Sequence, residues 1–166
     1  MQTTSKQPVR FVILVFLAAA AAACGGSEGP PGGAASDDVS TETTTTADGL
    51  TSDELQYGIG PIRSLDLGSV DHELAEQGGQ IFKVKCSACH KLDEAYVGPP
   101  LADVTERRTP EFVMNMILNA NEMVQRHPEI RELLAQFYTP MPVQVTDPDE
   151  ARAILEYLRS VQPGSS

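Results

Sequence analysis

Apolar positions fall along this chain in distinct regimes, and each predicts a different kind of segment. From Phe11 to Ala23 they form an unbroken run of 13 residues, behind a start that carries Lys6 and Arg10. From Gly25 to about residue 56 they thin out among Gly25-Gly26, Gly29-Pro30-Pro31-Gly32-Gly33 and Thr43-Thr44-Thr45-Thr46. Beyond residue 70 they recur at helical spacing.

In that last regime a helix is predicted from Asp71, an N-cap with Glu73 in the first turn. Gly78, Phe82 and Cys86 follow at i, i+4 and i+8, along one face. Gly78-Gly79 costs helix stability relative to alanine, which is understandable if another helix passes close by. Thr109-Pro110-Glu111 supplies a cap, a first-position proline and an acidic first turn, opening a helix through Phe112, Val113, Met116 and Ile117 to about Asn119. Pro128 to Phe137 predicts a short helix with Ile130, Leu133, Leu134 and Phe137 inward. Asp147-Pro148-Asp149-Glu150, close to a capping box, opens the last helix. Its apolar stripe is Ala151, Ile154, Leu155 and Leu158, with Tyr157 near it, and Pro163-Gly164 ends it. Gly58, Gly60, Pro61 and Gly68 suit an extended lead-in over 57–69, with Ile62, Leu65 and Leu67 lying against the domain. The expected class is all-α, with one domain over 70–162 and a tail at 163–166.

The 13-residue run is too short to span a bilayer as a helix, and with its basic flank it predicts a signal peptide over 1–23. It ends in Ala21-Ala22-Ala23 before Cys24, which resembles the lipobox of bacterial lipoproteins, with Ala21 where that family carries Leu. The resemblance implies that Cys24 becomes a lipid-bearing N-terminus; ordinary cleavage after the small residues is the alternative. A lone exposed thiol in an oxidising compartment would be a liability, and several acyl chains would hold the protein at a membrane where one binds only marginally. Residues 24–56 then read as a tether with too little apolar surface to offset its ordering entropy. A flexible coil of that length spans about 30 Å.

Charge changes the picture modestly. Two of the 12 basic residues precede Cys24 and none of the 23 acidic ones does, so the chain from Cys24 carries 10 against 23, a formal −13. Nucleic acid, which needs a basic face, is not an expected partner. A partner with a basic patch would be steered in by such a charge.

The chemistry concentrates in Cys86-Ser87-Ala88-Cys89-His90. C-x-x-C followed by His is the signature of covalent c-type haem attachment: two thiols make thioether bonds to one haem and the His ligates its iron. A thioredoxin-like pair would want a strand-to-helix turn, whereas helix precedes this motif. A zinc site would need further ligands at suitable spacing, and chance occurrence is the remaining alternative. One lipid thiol and two haem thiols leave no cysteine for a disulfide.

Around this motif, Gly98-Pro99-Pro100-Leu101 fixes an extended path. A ligating His normally donates its other N–H to an oxygen acceptor, and a backbone carbonyl in this turn is a candidate. Arg107 and Arg108 could pair with a haem propionate through the bidentate guanidinium fork, or form a solvated basic loop. His127 is expected on a surface loop rather than at iron. Met141, between Pro140 and Pro142, has an extended backbone that presents its thioether as a sixth ligand, and such a ligand raises the potential. Met114, Met116 and Met123 are the rivals, the first two reading as packing residues.

This motif set, with Met141 before a final amphipathic helix, resembles class I cytochrome c over about residues 70–162. The resemblance implies a small all-α fold of about four to five helices around one covalently bound haem c, with crossed N- and C-terminal helices. It implies that Cys86 and Cys89 hold the haem, that His90 and Met141 ligate iron, that Pro99 supplies the carbonyl to His90, and that Gly78, Phe82 and Tyr157 lie near the helix crossing. More narrowly, RRTPEFVMNMILN, LLAQFYTPMP, DEARAILEYLR and GIGPIRSLDLG are similar to the cytochrome c domains attached to some nitrous oxide reductases. The copper enzyme of those proteins has no counterpart in these residues, so a donor role to such a system is the most it implies. The expected function is single-electron transfer, not catalysis, by a carrier lipid-anchored outside the cytoplasmic membrane. Its partners would be a respiratory donor and a terminal reductase or oxidase, with no small-molecule substrate. A haem sensor or peroxidase-like enzyme with a displaceable sixth ligand, or a fixed haem subunit of a larger reductase, are the alternatives.

Overall fold

A computed structural model describes residues 49–163. The expected signal peptide and Cys24 lie outside the described residues. Those described form seven helices: α1 (Ser52–Tyr57), α2 (His72–Lys85), α3 (Val104–Arg107), α4 (Pro110–Leu118), α5 (Ala120–Arg126), α6 (Pro128–Phe137) and α7 (Pro148–Ser160). Among them no helix is long and apolar enough to cross a membrane.

Helices α2 and α7 cross at the centre. The Asp71 carboxylate caps α2 by accepting from the Leu74 N–H at 3.0 Å, and the Asp147 carboxylate caps α7 by accepting from the Asp149 N–H at 2.9 Å. Glu150 does not close a capping box; it pairs with Lys85 at 2.6 Å and so joins the two helices. At the crossing a Cβ on Gly78 would overlap the Ala153 carbonyl, and one on Gly79 would press on the Tyr157 ring at 3.2 Å. The glycine pair is therefore the contact itself. Phe82 and Tyr157 meet beside it with ring centroids 5.2 Å apart and planes tilted by 46°. Phe82, Val113, Met114, Ile117, Val145 and the α7 stripe form one core, against which Ile62, Leu65 and Leu67 of the lead-in pack. Each such fully buried aliphatic contributes about 1.5–3 kcal/mol.

Glu156, on α7, is fully buried. Its carboxylate accepts from Arg152 Nε at 3.0 Å, from Arg159 at 2.8 Å and from the Asp71 N–H at 3.3 Å. Two guanidiniums offset the cost of taking that charge out of water. Arg159 also donates to the Gly68 carbonyl at 2.7 Å, fixing the chain where it enters α2.

A second core departs from the sequence expectation. Residues 49–56 are folded rather than tether: Leu50 is fully buried, and Thr51 and Glu54 form a capping box that starts α1. Leu50 and Ile59 join Phe112, Met123 and Ile130 in a cluster of their own. The physical reason is that the few apolar residues here find partners on α4, α5 and α6, far away in sequence. Side chains of those helices and of the residues capping them hold the segment by its backbone. Asn115, fully buried, donates to the Tyr57 and Ile62 carbonyls at 2.9 and 2.8 Å and accepts from the Ile62 N–H at 2.9 Å. Asn119 donates to the Ile59 carbonyl at 3.0 Å, and Glu111 accepts from the Leu65 N–H at 3.0 Å.

His127 corrects a second expectation. It is fully buried instead of on a surface loop. Its Nε2–H donates to the Leu55 carbonyl at 3.1 Å, and its ring meets Phe112 edge-on at 5.1 Å. Met123 is also fully buried, with its sulfur 3.1 Å from the Ile59 N–H.

Candidate functional site

The C-terminus of α2 is wound into a turn that gathers Cys86, Cys89 and His90. The Cys86 and Ser87 N–H groups both donate to the Phe82 carbonyl, at 2.8 and 2.9 Å. The Cys89 and His90 N–H groups both donate to the Cys86 carbonyl, at 3.0 and 2.9 Å. Both cysteines are half-buried and unpaired. Burial pushes the Cys86 thiol up to about 11, against the lowering pull of Lys85.

His90 is oriented by the turn that follows. Its Nδ1 lies 3.0 Å from the Pro99 carbonyl. A carbonyl only accepts, so Nδ1 carries the hydrogen and Nε2 keeps its lone pair. The turn is pinned by the Gly98 N–H donating to the Cys89 carbonyl at 2.9 Å and the Leu101 N–H to the Lys91 carbonyl at 3.1 Å. Gly98 lies against the imidazole: a Cβ there would be 2.6 Å from His90 Cε1. That role was not evident from the sequence, where Gly98 reads only as part of a turn.

Cys86, Cys89, His90, Pro99, Arg107, Arg108 and Met141 all line one cavity. Its walls are otherwise chiefly apolar and include Phe82, Leu101, Met116, Ile130, Leu134 and Phe137. The α6 stripe was legible, but nothing local in the sequence says that its inward face looks onto this cavity. Met141 is half-buried between the exposed Pro140 and Pro142. Of the rival methionines, Met116 also lines the cavity, whereas Met114 and Met123 are buried in the two cores.

The charged residues on the lining are Lys85, Arg107 and Arg108. Lys85 has Glu150 as partner, Arg107 has Asp103 at 2.9 Å and the Pro100 carbonyl at 3.2 Å, and Arg108 has Glu129. Arg108 also lies over the Phe112 ring, 5.0 Å from its centroid. An incoming carboxylate would compete with these partners.

The residues present fit a covalently held haem. Two thiols, an imidazole with a free Nε2 lone pair and a thioether line an apolar cavity. Among the described residues no cluster of three or more His, Cys, Asp or Glu side chains could hold a bare metal ion.

Comparison with known proteins points the same way. The family model for cytochrome c matches residues 75–162. Among solved structures, a cytochrome c from Rhodothermus marinus is 47% identical, covering 66% of this chain and 95% of that one, with a TM-score of 0.63. An engineered cytochrome c from the same organism is 46% identical over 66% and 96% of the two chains, with a TM-score of 0.62. Another structure of it, bound to a carbene intermediate, gives 47% identity over the same shares and a TM-score of 0.60. No match was found among the curated proteins.

Proposed function

This chain belongs to the cytochrome c family and is a monohaem c-type electron-transfer protein, and we propose that it works as a lipid-tethered carrier outside the cytoplasmic membrane. It takes one electron from a respiratory donor and delivers it to a terminal reductase or oxidase. A nitrous oxide-reducing system is one acceptor to try, on the strength of the stretches around Arg107, Leu133 and Asp149.

The covalently bound haem c supplies a one-electron iron couple. Cys86 and Cys89 would hold it, and His90 and Met141 would ligate its iron. The Pro99 carbonyl keeps the His90 hydrogen on Nδ1. Cavity residues such as Phe82, Leu101 and Ile130 exclude water from that side of the site, and Arg107 and Arg108 stand ready for the propionates. No group here has to move a proton during turnover. The observation that carries the reading is the His90 Nδ1–H bond to Pro99 at the edge of an apolar cavity that both thiols and Met141 also line.

The test is the visible spectrum and potential of the holoprotein made with haem-maturation machinery. A two-thioether haemochrome with the weak ferric sulfur band is expected, and Met141→Ala should lower the potential while retaining haem. An unchanged potential would remove Met141 from the site. Tethering is tested separately: Cys24→Ala should move the protein from the membrane fraction to the soluble fraction.

One observation favours a second reading, a haem protein whose sixth position is readily given up. Among the described residues, none from Thr139 to Thr146 makes a hydrogen bond to another protein group, so the Met141 segment is held by Val145 and side-chain packing alone. Titration of the ferric protein with imidazole separates the two: saturation at micromolar imidazole supports the second reading, and resistance at millimolar supports the carrier.

A further inference from the structure

Tyr138 occupies a position that local backbone physics reserves for glycine. It ends α6 in the left-handed region, at φ 56 and ψ 8, with its N–H donating to the Leu134 carbonyl at 2.8 Å. It is the one non-glycine residue with positive φ among those described. A helix C-terminus of this kind usually takes Gly, because a Cβ is penalised there. Nothing in the fold compensates: the side chain is 86% exposed, and its hydroxyl has no hydrogen-bond partner among the described residues. An aromatic that costs stability and packs on nothing points outward to function.

Its surroundings narrow that function. Leu133 to Thr146 is a run of 14 residues without Asp, Glu, Lys, Arg or His, the longest within 49–163. Its inner residues, such as Leu134 and Phe137, wall the cavity. Thr139, Pro140, Pro142 and Gln144 both line the cavity and are exposed, so they form part of its mouth beside Met141. A chain whose formal charge is −11 thus keeps this part of the mouth free of charge.

The geometry points to Tyr138, with the uncharged rim from Thr139 to Gln144, as the docking face for a redox protein whose own electron-entry rim is also uncharged. This rests on the electron-transfer reading above. Tyr at an interface offers a large, rigid, amphipathic contact and is enriched among hot spots. An uncharged rim lets an acidic protein meet a partner without basic residues opposite it. A basic rim would find no carboxylate opposite it from Thr139 to Gln144, and contact that relied on such a rim would depend steeply on salt.

A second copy of this chain has the required chemistry, so electron self-exchange tests the proposal. In each event the reduced copy loses one electron and the oxidised copy gains it, with no proton or co-reactant. The rate is read from NMR line broadening in mixtures of oxidised and reduced holoprotein. Reversible redox behaviour and the potential of each variant are measured first, so that failure of the carrier reading is seen separately.

Tyr138→Glu should slow exchange about tenfold at unchanged potential, as loss of a hot spot does. Tyr138→Phe should stay within about twofold of the parent, because the ring and not the hydroxyl makes the contact. Val84→Glu, which adds the same charge at another exposed apolar position (81% exposed), should have little effect. Because two acidic copies repel whatever their rims carry, salt is read through a ratio: between roughly 0.1 and 0.5 M the factor by which Tyr138→Glu slows exchange relative to Val84→Glu should change less than about twofold. Equal slowing by Val84→Glu, an unaffected Tyr138→Glu or a Tyr138→Glu effect that vanishes at high salt would each overturn the proposal, the last pointing to added charge and not to a lost contact.

Discussion

At the scale of single residues, the site depends on what is missing from Gly98 as much as on what His90 carries. The imidazole occupies the space where a Cβ on residue 98 would stand. Gly98→Ala should push the ring off its Pro99 acceptor and lower stability by about 1–3 kcal/mol, as overpacking does. Thermal unfolding of the holoprotein checks the cost, and a changed potential or weakened low-spin spectrum checks its origin at His90. Cys86, Cys89 and His90 were legible as a haem-attachment motif from five letters, because the cofactor dictates that spacing. His127 was not legible. A polar residue before Pro128 looks like a loop, and its acceptor, the Leu55 carbonyl, lies 72 positions away.

At the scale of elements, caps told three of the seven described helices where to start. Asp71, Thr109 and Asp147 each accept a hydrogen bond from the first turn they precede. Three helices escaped notice for different reasons, the four-residue α3 because no side-chain cap marks its start. Helix α5 restarts after Asn119, whose φ −136 and ψ 39 break the run, and neither glycine nor proline marks that break. Helix α1 announced itself as Thr51-Ser52-Asp53-Glu54, a capping-box pattern, but low-complexity neighbours masked it. The Thr51 N–H holds the Glu54 carboxyl below the usual carboxylate range. A lowered folded value means that the box stabilises α1 fully above the ordinary glutamate pKa of about 4.3 and loses that contribution as pH falls through the lowered value. Protection factors of the amides at residues 54–57, corrected for the intrinsic pH dependence of exchange, should therefore fall in acid and stay flat above about pH 5. Thr51→Ala should cost the same segment about 1 kcal/mol of protection at neutral pH. For the α2–α7 crossing, Gly78→Ala should lower stability by about 3 kcal/mol or more, because the obstacle is the Ala153 backbone and cannot rotate away. Urea unfolding measures it.

At the scale of the whole molecule, two hydrophobic clusters lie on either side of α4. Val113, Met114 and Ile117 serve the core shared with α2 and α7, while Phe112 serves the cluster with Leu50, Met123 and Ile130. The all-α class and the crossing were legible, because they follow from periodicity and from the glycine pair. The second cluster was not, since Leu50 and Ile59 meet their partners only after the chain has folded back on α4. Asn115 makes three bonds across that gap, so Asn115→Ala should cost about 3 kcal/mol. Hydrogen exchange should report the loss first at residues 57–62, ahead of α2 and α7.

The way this leading segment is held has a consequence for how such chains diverge. Asn115, Asn119, Glu111 and His127 all grip main-chain atoms of residues 55–65. Main-chain atoms are the same whatever the side chain, so the grip itself places no demand on residue type. Packing is what constrains Leu55, Ile59, Ile62 and Leu65, and space constrains Gly60, where a Cβ would overlap Asn115. Among relatives, the gripping residues should stay fixed opposite a segment that keeps its apolar positions but not their identities, and pairwise covariation between the two should be weak despite intimate contact. Where a relative has lost the segment, the buried Asn115 and His127 should be lost with it, replaced by ordinary apolar residues.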